Sequence, residues 1–236
     1  MPNKEKIIVS WSAGKDSALA LHELMRIGIY EIVSLITTVT EEYERISMHG
    51  VRRILLERQA DSLGLPLEQV YIAKNCSNDE YESKMRTVLL KYRDKGVSAV
   101  AFGDIFLEDL RKYREENLAL IGLKGIFPLW GKNTRELVGK ILSLGFDAVV
   151  TCVDSQFLDK TFVGRQFDKQ FLSALPATVD SCGENGEFHS FVYNGPIFRY
   201  CIEHRKGEIV LRNNRFYFCD LIPALRFSNE KSALDV

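Results

Sequence analysis

Short runs of β-branched and apolar residues alternate with amphipathic stretches over the first 155 residues. The apolar runs predict five strands, at Lys6 to Trp11, Glu31 to Thr38, Gln69 to Ala73, Ser98 to Gly103 and Ala148 to Val153. The amphipathic stretches predict five helices, at Ser17 to Arg26, Val51 to Leu63, Asp79 to Lys95, Leu107 to Leu120 and Thr134 to Leu144. This alternation is typical of βαβ units, so we predict an α/β fold with a parallel sheet.

Glycine follows four of the predicted helices, at Gly28, Gly64, Gly96 and Gly145, where a helix C-cap favours a left-handed residue. After residue 155 the pattern changes to one helical stretch, Phe162 to Leu175, and then to strands predicted at Phe198 to His204, Glu208 to Arg212 and Arg215 to Leu221. Asn213-Asn214 is typical of a hairpin turn. We expect two parts, residues 1–125 and a smaller α+β region at residues 126–236.

The overall charge excludes some classes of partner. The chain of 236 residues has 31 basic and 32 acidic residues, a net charge of -1 without long single-sign blocks, so no strong nucleic-acid or membrane surface is expected. Its five cysteines include no C-x-x-C pair, which favours reduced thiols. The apolar run after the polar N-terminus is too short for a signal or membrane segment, so a cytoplasmic protein is predicted.

A loop of small residues connects the first strand to the first helix. A helix N-terminus offers unpaired N–H groups and a positive dipole to an anion, and small residues let the backbone approach phosphate oxygens. Lys15 adds a positive charge, and Asp16 is a candidate Mg²⁺ ligand. The loop lacks the glycine spacing of a Walker A or a Rossmann site. We predict a pyrophosphate cradle, the alternative being an ordinary capped turn, formed by Ser10, Ser12, Ala13, Gly14, Lys15, Asp16 and Ser17.

Two further polar clusters are candidate site elements. Gly103 and Asp104 follow a predicted strand, on the same sheet edge as the small-residue loop, and Arg111 would share a helical face with Asp104. An N-cap with surface ion pairs is the structural alternative. The segment from Gly183 to His189 places two carboxylates and an imidazole in a Gly-containing loop suited to substrate positioning or proton transfer, although a hydrogen-bonded structural role is also open.

The S-x-G-K-D-S arrangement at Ser12 to Ser17 resembles the PP-loop of the N-type ATP pyrophosphatases, in which Gly is usual at the position of Ala13. Taken with the other motifs, the chain resembles the diphthine-ammonia ligase (diphthamide synthetase) family over most of its length. The motifs that carry the resemblance are Ser12 to Ser17, Gly103 to Ile105 with Arg111, Phe127 to Trp130, Gly183 to His189, and Gly195 to Phe198.

The resemblance implies a parallel-sheet PP-loop domain of the adenine nucleotide alpha hydrolase-like, HUP type, with a smaller C-terminal substrate domain. It implies that ATP and Mg²⁺ are cofactors, that a carboxylate is adenylated with release of pyrophosphate, and that ammonia then displaces AMP. The residues implied to act in catalysis or substrate binding are Lys15, Asp16, Asp104, Arg111, Glu184, Glu187 and His189, with Gly103 and the PP-loop binding ATP.

The acceptor implied by the family is diphthine, the modified histidine of elongation factor 2. Asn185 to Ser190, however, departs from the G-G-E-F-E-T pattern of archaeal and eukaryotic members and resembles the bacterial branch, so a small carboxylate acceptor is also open. A tRNA-thiolating PP-loop enzyme and a non-catalytic ATP or AMP sensor are the alternatives, and a homodimer is compatible with the sequence. The charge balance and isolated cysteines disfavour thiolation.

Overall fold

The computed structural model describes residues 4–46 and 49–224, which form two β-sheets and their covering helices. The first sheet contains the parallel strands β1 (Glu5–Ser10), β2 (Tyr30–Thr40), β4 (Leu67–Ile72), β5 (Ala99–Ala101) and β6 (Lys124–Ile126), with a short antiparallel strand β3 (Arg45–Ile46) beside the end of β2. The helices are α1 (Lys15–Ile27), α2 (Arg53–Leu63), α3 (Asn78–Asp94), α4 (Glu108–Ala119), α5 (Thr134–Ser143) and α6 (Lys169–Ala174).

The order of the parallel strands defines where a ligand can bind. The sheet runs β4–β2–β1–β5–β6, so the chain builds outward from β1 on one side and then crosses to β5 on the other. In open α/β sheets, ligands bind in the crevice outside the carboxyl ends of the strands at such a switch point. The crevice here lies between the loops that follow β1 and β5.

Helices cover both faces of the first sheet because its central strand is apolar on both faces. Ile7 and Val9 of β1 belong to one core cluster, and Ile8 between them belongs to another on the opposite face. The predicted α/β fold is confirmed, as are the five predicted helices to within a few residues. The four glycines predicted to end helices have φ between +69° and +88°.

The second sheet is antiparallel, in the order β8–β7–β10–β9. Its strands are β7 (Asp147–Asp154), β8 (Phe188–Asn194), β9 (His204–Arg212) and β10 (Phe216–Pro223). The predicted hairpin turn is confirmed, since Asn213 and Asn214 connect β9 to β10 with φ of 51° and 50°. The smaller α+β region is therefore present, with the sheet as its main element.

Three predictions in this region are wrong. The run from Ala148 to Val153 does not extend the parallel sheet but forms β7 at the centre of the antiparallel one, and the parallel edge is taken by β6. The segment Phe198 to His204 is irregular up to His204, where β9 begins. The helix predicted from Phe162 to Leu175 is shorter than expected: only α6 is an α-helix, and a 3-10 turn at Lys160–Phe162 precedes it.

The two sheets pack on one shared hydrophobic core. Ile7 and Val9 of the parallel sheet belong to the same buried cluster as Val149, Phe188 and Phe191 of the antiparallel sheet. Strand β6 reaches one residue beyond the expected boundary at residue 125, and that boundary stays a prediction. Within the described ranges, no helix is long and apolar enough to cross a membrane.

Candidate active site

The PP-loop turns sharply between β1 and α1. Ser10 is the last residue of β1, and Ala13 has a φ of 66°, a left-handed conformation that explains why a small residue occupies this position. Ser17 Oγ donates to the Gly14 carbonyl at 2.9 Å, and lies 3.2 Å from Ser12 Oγ. Gly14, the N-cap of α1, provides no side-chain cap, so the N-terminus of this 13-residue helix can bind an anion.

Strand β8 holds the PP-loop in this conformation. The Val192 N–H donates to the Ala13 carbonyl at 2.9 Å, and the Lys15 N–H donates to Ser190 Oγ at 3.2 Å. Gln59 of α2 is fully buried, and its amide donates to both the Ala13 carbonyl (3.1 Å) and the Val192 carbonyl (2.5 Å). The phosphate-binding loop is thus built jointly by both sheets.

The sequence predicted that Lys15 adds a positive charge to the phosphate-binding loop. In the structure, however, Lys15 does not present that charge to the open crevice. Its side chain is 2% exposed, and its ammonium donates to Asp16 Oδ2 at 2.8 Å and to the Cys182 carbonyl. The ring of Phe188 lies 5.0 Å from the ammonium. Burial alone would lower the pKa of Lys15, but Asp16 outweighs burial and keeps that pKa above its usual value, so the cation is retained.

Asp16 has one carboxylate oxygen engaged and one without a partner. Oδ2 accepts from Lys15, whereas Oδ1 is enclosed and has no hydrogen-bond partner among the described residues. An enclosed, unpaired carboxylate oxygen beside a phosphate-binding loop fits a Mg²⁺ ligand. Across residues 4–46 and 49–224, no group of three or more His, Cys, Asp or Glu side chains forms a metal cluster, so such a cation would need phosphate and water oxygens as further ligands.

Gly103 brings the loop after β5 against the PP-loop. A Cβ at this position would lie 2.9 Å from the carbonyl carbon of Asp16 and 3.0 Å from the nitrogen of Ser17, which is closer than real Cβ contacts allow. Only glycine therefore permits this backbone-to-backbone contact. Gly103 and the PP-loop are brought together as predicted from their shared sheet edge.

Asp104 and Arg111 do not share the helical face that the sequence had predicted, because Asp104 precedes the first residue of α4. Asp104 forms a two-point ion pair with Arg114, with Nε to Oδ2 at 2.6 Å and Nη2 to Oδ1 at 3.3 Å. Arg111 instead lies over the rings of Phe127 (4.9 Å) and Trp130 (4.7 Å). No signal in the sequence indicated Arg114 as the partner of Asp104, and the substrate contacts predicted for Asp104 and Arg111 remain predictions.

Glu184 connects the polar segment from Gly183 to His189, the C-terminal motif, to the crevice. Its Oε1 accepts the Ile105 N–H at 2.7 Å, so the C-terminal loop is bonded to the loop after β5. Burial raises the pKa of Glu184 to about 7, the Ile105 hydrogen bond opposes this rise, and the negative charges of Asp16 and Asp104 add to it. This carboxyl group can therefore exchange a proton near neutral pH.

Glu187 lies beneath the motif rather than in the open crevice. Its side chain is 1% exposed, and Oε1 accepts from the Asp180 N–H (3.0 Å) and the Asn185 amide (2.9 Å), while Oε2 is enclosed without a partner in the described structure. These contacts shape the turn that presents Glu184. The catalytic and substrate-binding roles predicted for Glu187 remain predictions.

His189, the second residue of β8, meets another histidine. Its ring centroid lies 4.5 Å from that of His49, which follows β3. Burial lowers the pKa of His49 to about 4, and it lowers the pKa of His189 well below the usual range. Sequence reasoning did not identify His49 as part of the site, because a lone histidine in a loop gives no specific signal.

An open cavity of about 1070 Å³ adjoins this pair. It lies between the ends of β2 and β4 on one side and the antiparallel sheet on the other, and His189 is part of its wall. Aromatic and cationic side chains line much of it, including Tyr43, Arg45, Lys74, Arg212 and Phe218. Its volume is large enough for a nucleoside or a drug-sized acceptor.

Comparison with known proteins agrees with this architecture. The sequence family described as "Diphthamide synthase N-terminal domain" matches residues 5–125, and "Diphthamide synthase C-terminal domain" matches residues 133–221. Human diphthine–ammonia ligase is 25% identical over 227 residues, covering 86% of this chain and 84% of the human protein. The zebrafish protein of the same name is 25% identical, covering 86% of this chain and 88% of its own.

The Schizosaccharomyces pombe protein named diphthine–ammonia ligase is 26% identical over 86% of this chain, which spans only 38% of that longer protein. Among solved structures, the U34-tRNA thiolase NcsA of Methanococcus maripaludis, with its [4Fe-4S] cluster, is 19% identical with a TM-score of 0.36, covering 61% of this chain and 58% of that one. The two matched segments together cover nearly all of both sheets and every motif that carried the resemblance except Phe127 to Trp130, which lies between them. The chain therefore belongs to the diphthamide synthase family.

Proposed function

We propose that this chain is a cytoplasmic, ATP-dependent carbon–nitrogen ligase. It adenylates a carboxylate with release of pyrophosphate and then transfers the acyl group to ammonia with release of AMP. The observation that carries the proposal is the meeting of the PP-loop, Gly103 and Glu184 at the switch point of the sheet. Family membership and the names of the curated relatives support the same chemistry.

In the first step, a carboxylate oxygen attacks the α-phosphorus of ATP, and the bond to the β-phosphate oxygen breaks. The N-terminus of α1 with Ser12 and Ser17 binds the departing pyrophosphate. Mg²⁺, held by Asp16 together with phosphate oxygens, would neutralise the developing charge. Burial raises the pKa of Asp16, and Lys15 opposes that rise and holds the carboxylate in place, which is a positioning role.

In the second step, the nitrogen of ammonia attacks the acyl carbon and AMP leaves. Glu184, whose pKa is raised to about 7, can exchange a proton near neutral pH, and His189 lines the adjoining cavity. We assign Asp104, held by Arg114, and the Arg111 cluster to substrate positioning. Glu187 contributes to this step through the hydrogen bonds that shape the turn presenting Glu184.

The acceptor class proposed here is a carboxylate, either diphthine on elongation factor 2, as in the names of the relatives, or a smaller molecule. The cavity beside His189 provides the space for it. The thiolation alternative is disfavoured because thiolation needs a reactive thiol, whereas burial raises the pKa of all three thiols that line the cavity, those of Cys76, Cys219 and Cys152, the last to about 12. A non-catalytic ATP sensor is the remaining alternative.

The test is the identity of the nucleotide products. The purified chain is incubated with Mg-ATP, ammonium and either elongation factor 2 carrying diphthine or a pool of cell metabolites, and ³¹P NMR follows the phosphates. We expect AMP and pyrophosphate, dependent on both ammonium and acceptor. ADP with inorganic phosphate would refute the mechanism, and tight ATP binding without turnover would favour the sensor.

A matched pair of variants identifies the site. Asp16→Asn should fold normally, but its rate of pyrophosphate release should fall at least about 10²-fold, because the carboxylate charge is removed from the phosphate site. Asp94→Asn is the control, because Asp94 is 66% exposed and pairs only with Arg93 on the surface of α3. Unchanged turnover in Asp16→Asn would remove Asp16 from the mechanism.

A further inference from the structure

Two histidines from distant parts of the chain meet where the PP-loop borders the cavity. The rings of His49 and His189 lie 4.5 Å apart with their planes tilted by 39°. His189 lines the cavity, and His49 Cε1 lies 3.1 Å from the place that a Cβ on Gly14 would occupy. The pair therefore touches the phosphate-binding loop on one side and the proposed acceptor space on the other.

Described residues on both sides of His49 are bonded to the antiparallel sheet. Arg45 and Arg52, on either side of His49, both bind Asp220 of β10, at 2.9 Å and 2.7 Å. Arg45 also donates to the Gly50 carbonyl at 2.7 Å, and Gly50, with a φ of +67°, packs on the ring of Phe218. Such anchoring fixes an imidazole in one place, as a reacting group requires.

The hydrogen bonds of the pair define which nitrogens can accept a proton. His49 Nδ1 lies 3.4 Å from the Ser190 carbonyl, which can only accept, so Nδ1 carries the proton and Nε2 keeps its lone pair. Within the described residues, neither ring nitrogen of His189 has a hydrogen-bond partner. Two neutral imidazoles with available lone pairs thus face the site.

We propose that His49, supported by His189, accepts the proton that is released when the amine attacks the activated carboxylate. The nitrogen lone pair forms the new C–N bond, the C–O bond to AMP breaks, and AMP leaves with that electron pair. One proton of the attacking nitrogen passes to His49 Nε2. This inference rests on the proposed ligase function and adds the residue that completes its second step.

The surrounding charges make the proton affinity of the pair depend on nucleotide. Lys15 approaches from α1 and disfavours protonation of both rings, and His189 approaches from β8. On β10, Asp220 is neutralised by its two arginines. Phosphates bound to the PP-loop would add negative charge beside the pair and raise the pKa of His49. ATP binding would thus prepare the group that the second step needs.

The first experiment needs no acceptor. The chain has four histidines, so ¹⁵N-labelled imidazoles give four pairs of Nδ1 and Nε2 resonances, and His49→Gln assigns one pair. Without nucleotide, His49 should stay neutral with its proton on Nδ1 between about pH 5 and pH 8, the range in which an ordinary histidine titrates. With α,β-methylene-ATP, which cannot be cleaved between those phosphates, His49 should begin to titrate in this range, while His22 and His204 should not change.

The second experiment separates the two chemical steps, using the acceptors of the product assay. His49→Gln should retain ATP–pyrophosphate exchange, which reports adenylation. Its rate of amide formation should fall roughly 10²-fold. Gly139→Ala, an exposed helix position where a Cβ contacts nothing, is the control for handling and folding.

The outcomes distinguish this inference from the proposed function. A charged His49 without nucleotide, a titration insensitive to the ATP analogue, or an equal loss of exchange and amide formation in His49→Gln would overturn the base assignment. A wild-type chain that releases no pyrophosphate with any acceptor would reject the ligase function instead. In that case the response of His49 to the analogue still tests whether the pair is a nucleotide-dependent proton acceptor.

Discussion

Single residues at the crevice are constrained by backbone contact more than by side-chain chemistry. Gly103 is the clearest case, because the backbone of Asp16 and Ser17 occupies the space that a side chain would need. Ala13 is a second case, since its left-handed φ of 66° leaves room for little beyond a methyl group. Both residues determine how closely phosphate oxygens can approach.

Gly103→Ala should weaken ATP binding at least about tenfold and lower the free energy of unfolding by about 1–3 kcal/mol, because the added methyl displaces the first turn of α1. Isothermal titration calorimetry and urea unfolding measure the two effects. Gly139→Ala, in open space within α5, should instead raise the free energy of unfolding by about 0.5–1 kcal/mol. Equal behaviour of the two variants would show that the Gly103 contact is not limiting.

Glu184 should make stability fall with rising pH. Its pKa rises from 4.5 to about 7 on folding, so the folded chain binds more protons than the unfolded chain between these values. Stability is therefore full below pH 4.5 and is lost as pH rises through 7. Glu184→Gln keeps an acceptor for Ile105 and should be more stable than the wild type by about 1–2 kcal/mol at pH 8 but not at pH 5. Urea unfolding at both pH values measures this, and a pH-independent difference would contradict it.

At the scale of the elements, Arg45 of β3 and Arg52 before α2 both form ion pairs with one carboxylate of β10, that of Asp220. Arg52 and Arg45 hold the pKa of Asp220 at about 2 by hydrogen bonding and charge, against an ordinary value of 3.8. The stability that this ion pair contributes is present above pH 3.8 and is lost as pH falls toward 2. The contacts of Arg45 and Arg52 with β10 should therefore weaken as pH falls toward 2.

Asp220→Asn should lower the free energy of unfolding at pH 7 by about 1–2 kcal/mol, because both arginines lose their charged partner. The exposed Asp94→Asn change should stay within about 0.5 kcal/mol. The difference between Asp220→Asn and wild type should vanish near pH 2. Guanidinium unfolding across this pH range measures it, and a loss at pH 7 equal to that of Asp94→Asn would refute a role for the ion pair.

At the scale of the elements, the sequence predicts the features that depend only on residues close together in the chain. Helices and their glycine caps were predictable because periodicity and caps act within a few residues. The run at Val149 and Val150 is apolar on both faces, so its pattern does not distinguish a parallel from an antiparallel central strand. Strand β8 escaped prediction because the motif before it, rich in Gly and charge, suggested a loop through His189.

The site was predictable to the same extent. The PP-loop and Gly103 share a sheet edge that follows from strand order, and the structure brings them together. Which arginine binds Asp104, and that His49 stacks on His189, depend on packing between elements far apart in sequence. No spacing rule in a single sequence reports such contacts.

At the scale of the whole molecule, Gln59 connects the two sheets through the PP-loop. It is fully buried, accepts from Trp11 Nε1 at 2.9 Å, and donates to the carbonyls of Ala13 and Val192. Removing this side chain leaves buried polar groups from both sheets unpaired. Because the sheets also share one core, the whole described molecule should unfold as a unit.

Gln59→Ala should lower the free energy of unfolding by about 3 kcal/mol or more, because it leaves several buried donors and acceptors unsatisfied. It should also weaken ATP binding, since Ala13 loses a contact that holds its left-handed conformation. The exposed Gln156→Ala change should stay within about 0.5 kcal/mol. Calorimetry and ATP titration measure both effects, and two separate unfolding transitions in the wild type would contradict a single unit.

The dependence of the PP-loop on strand β8 has a consequence for the newly made chain. Residues 10–17 leave the ribosome long before residues 188–194, which supply two of the hydrogen bonds that shape the loop. We therefore expect the nascent first half to have no competent ATP site, because these hydrogen bonds and the shared core are still missing. Nucleotide would first bind when the antiparallel sheet docks, so incomplete chains would be spared unproductive ATP cleavage.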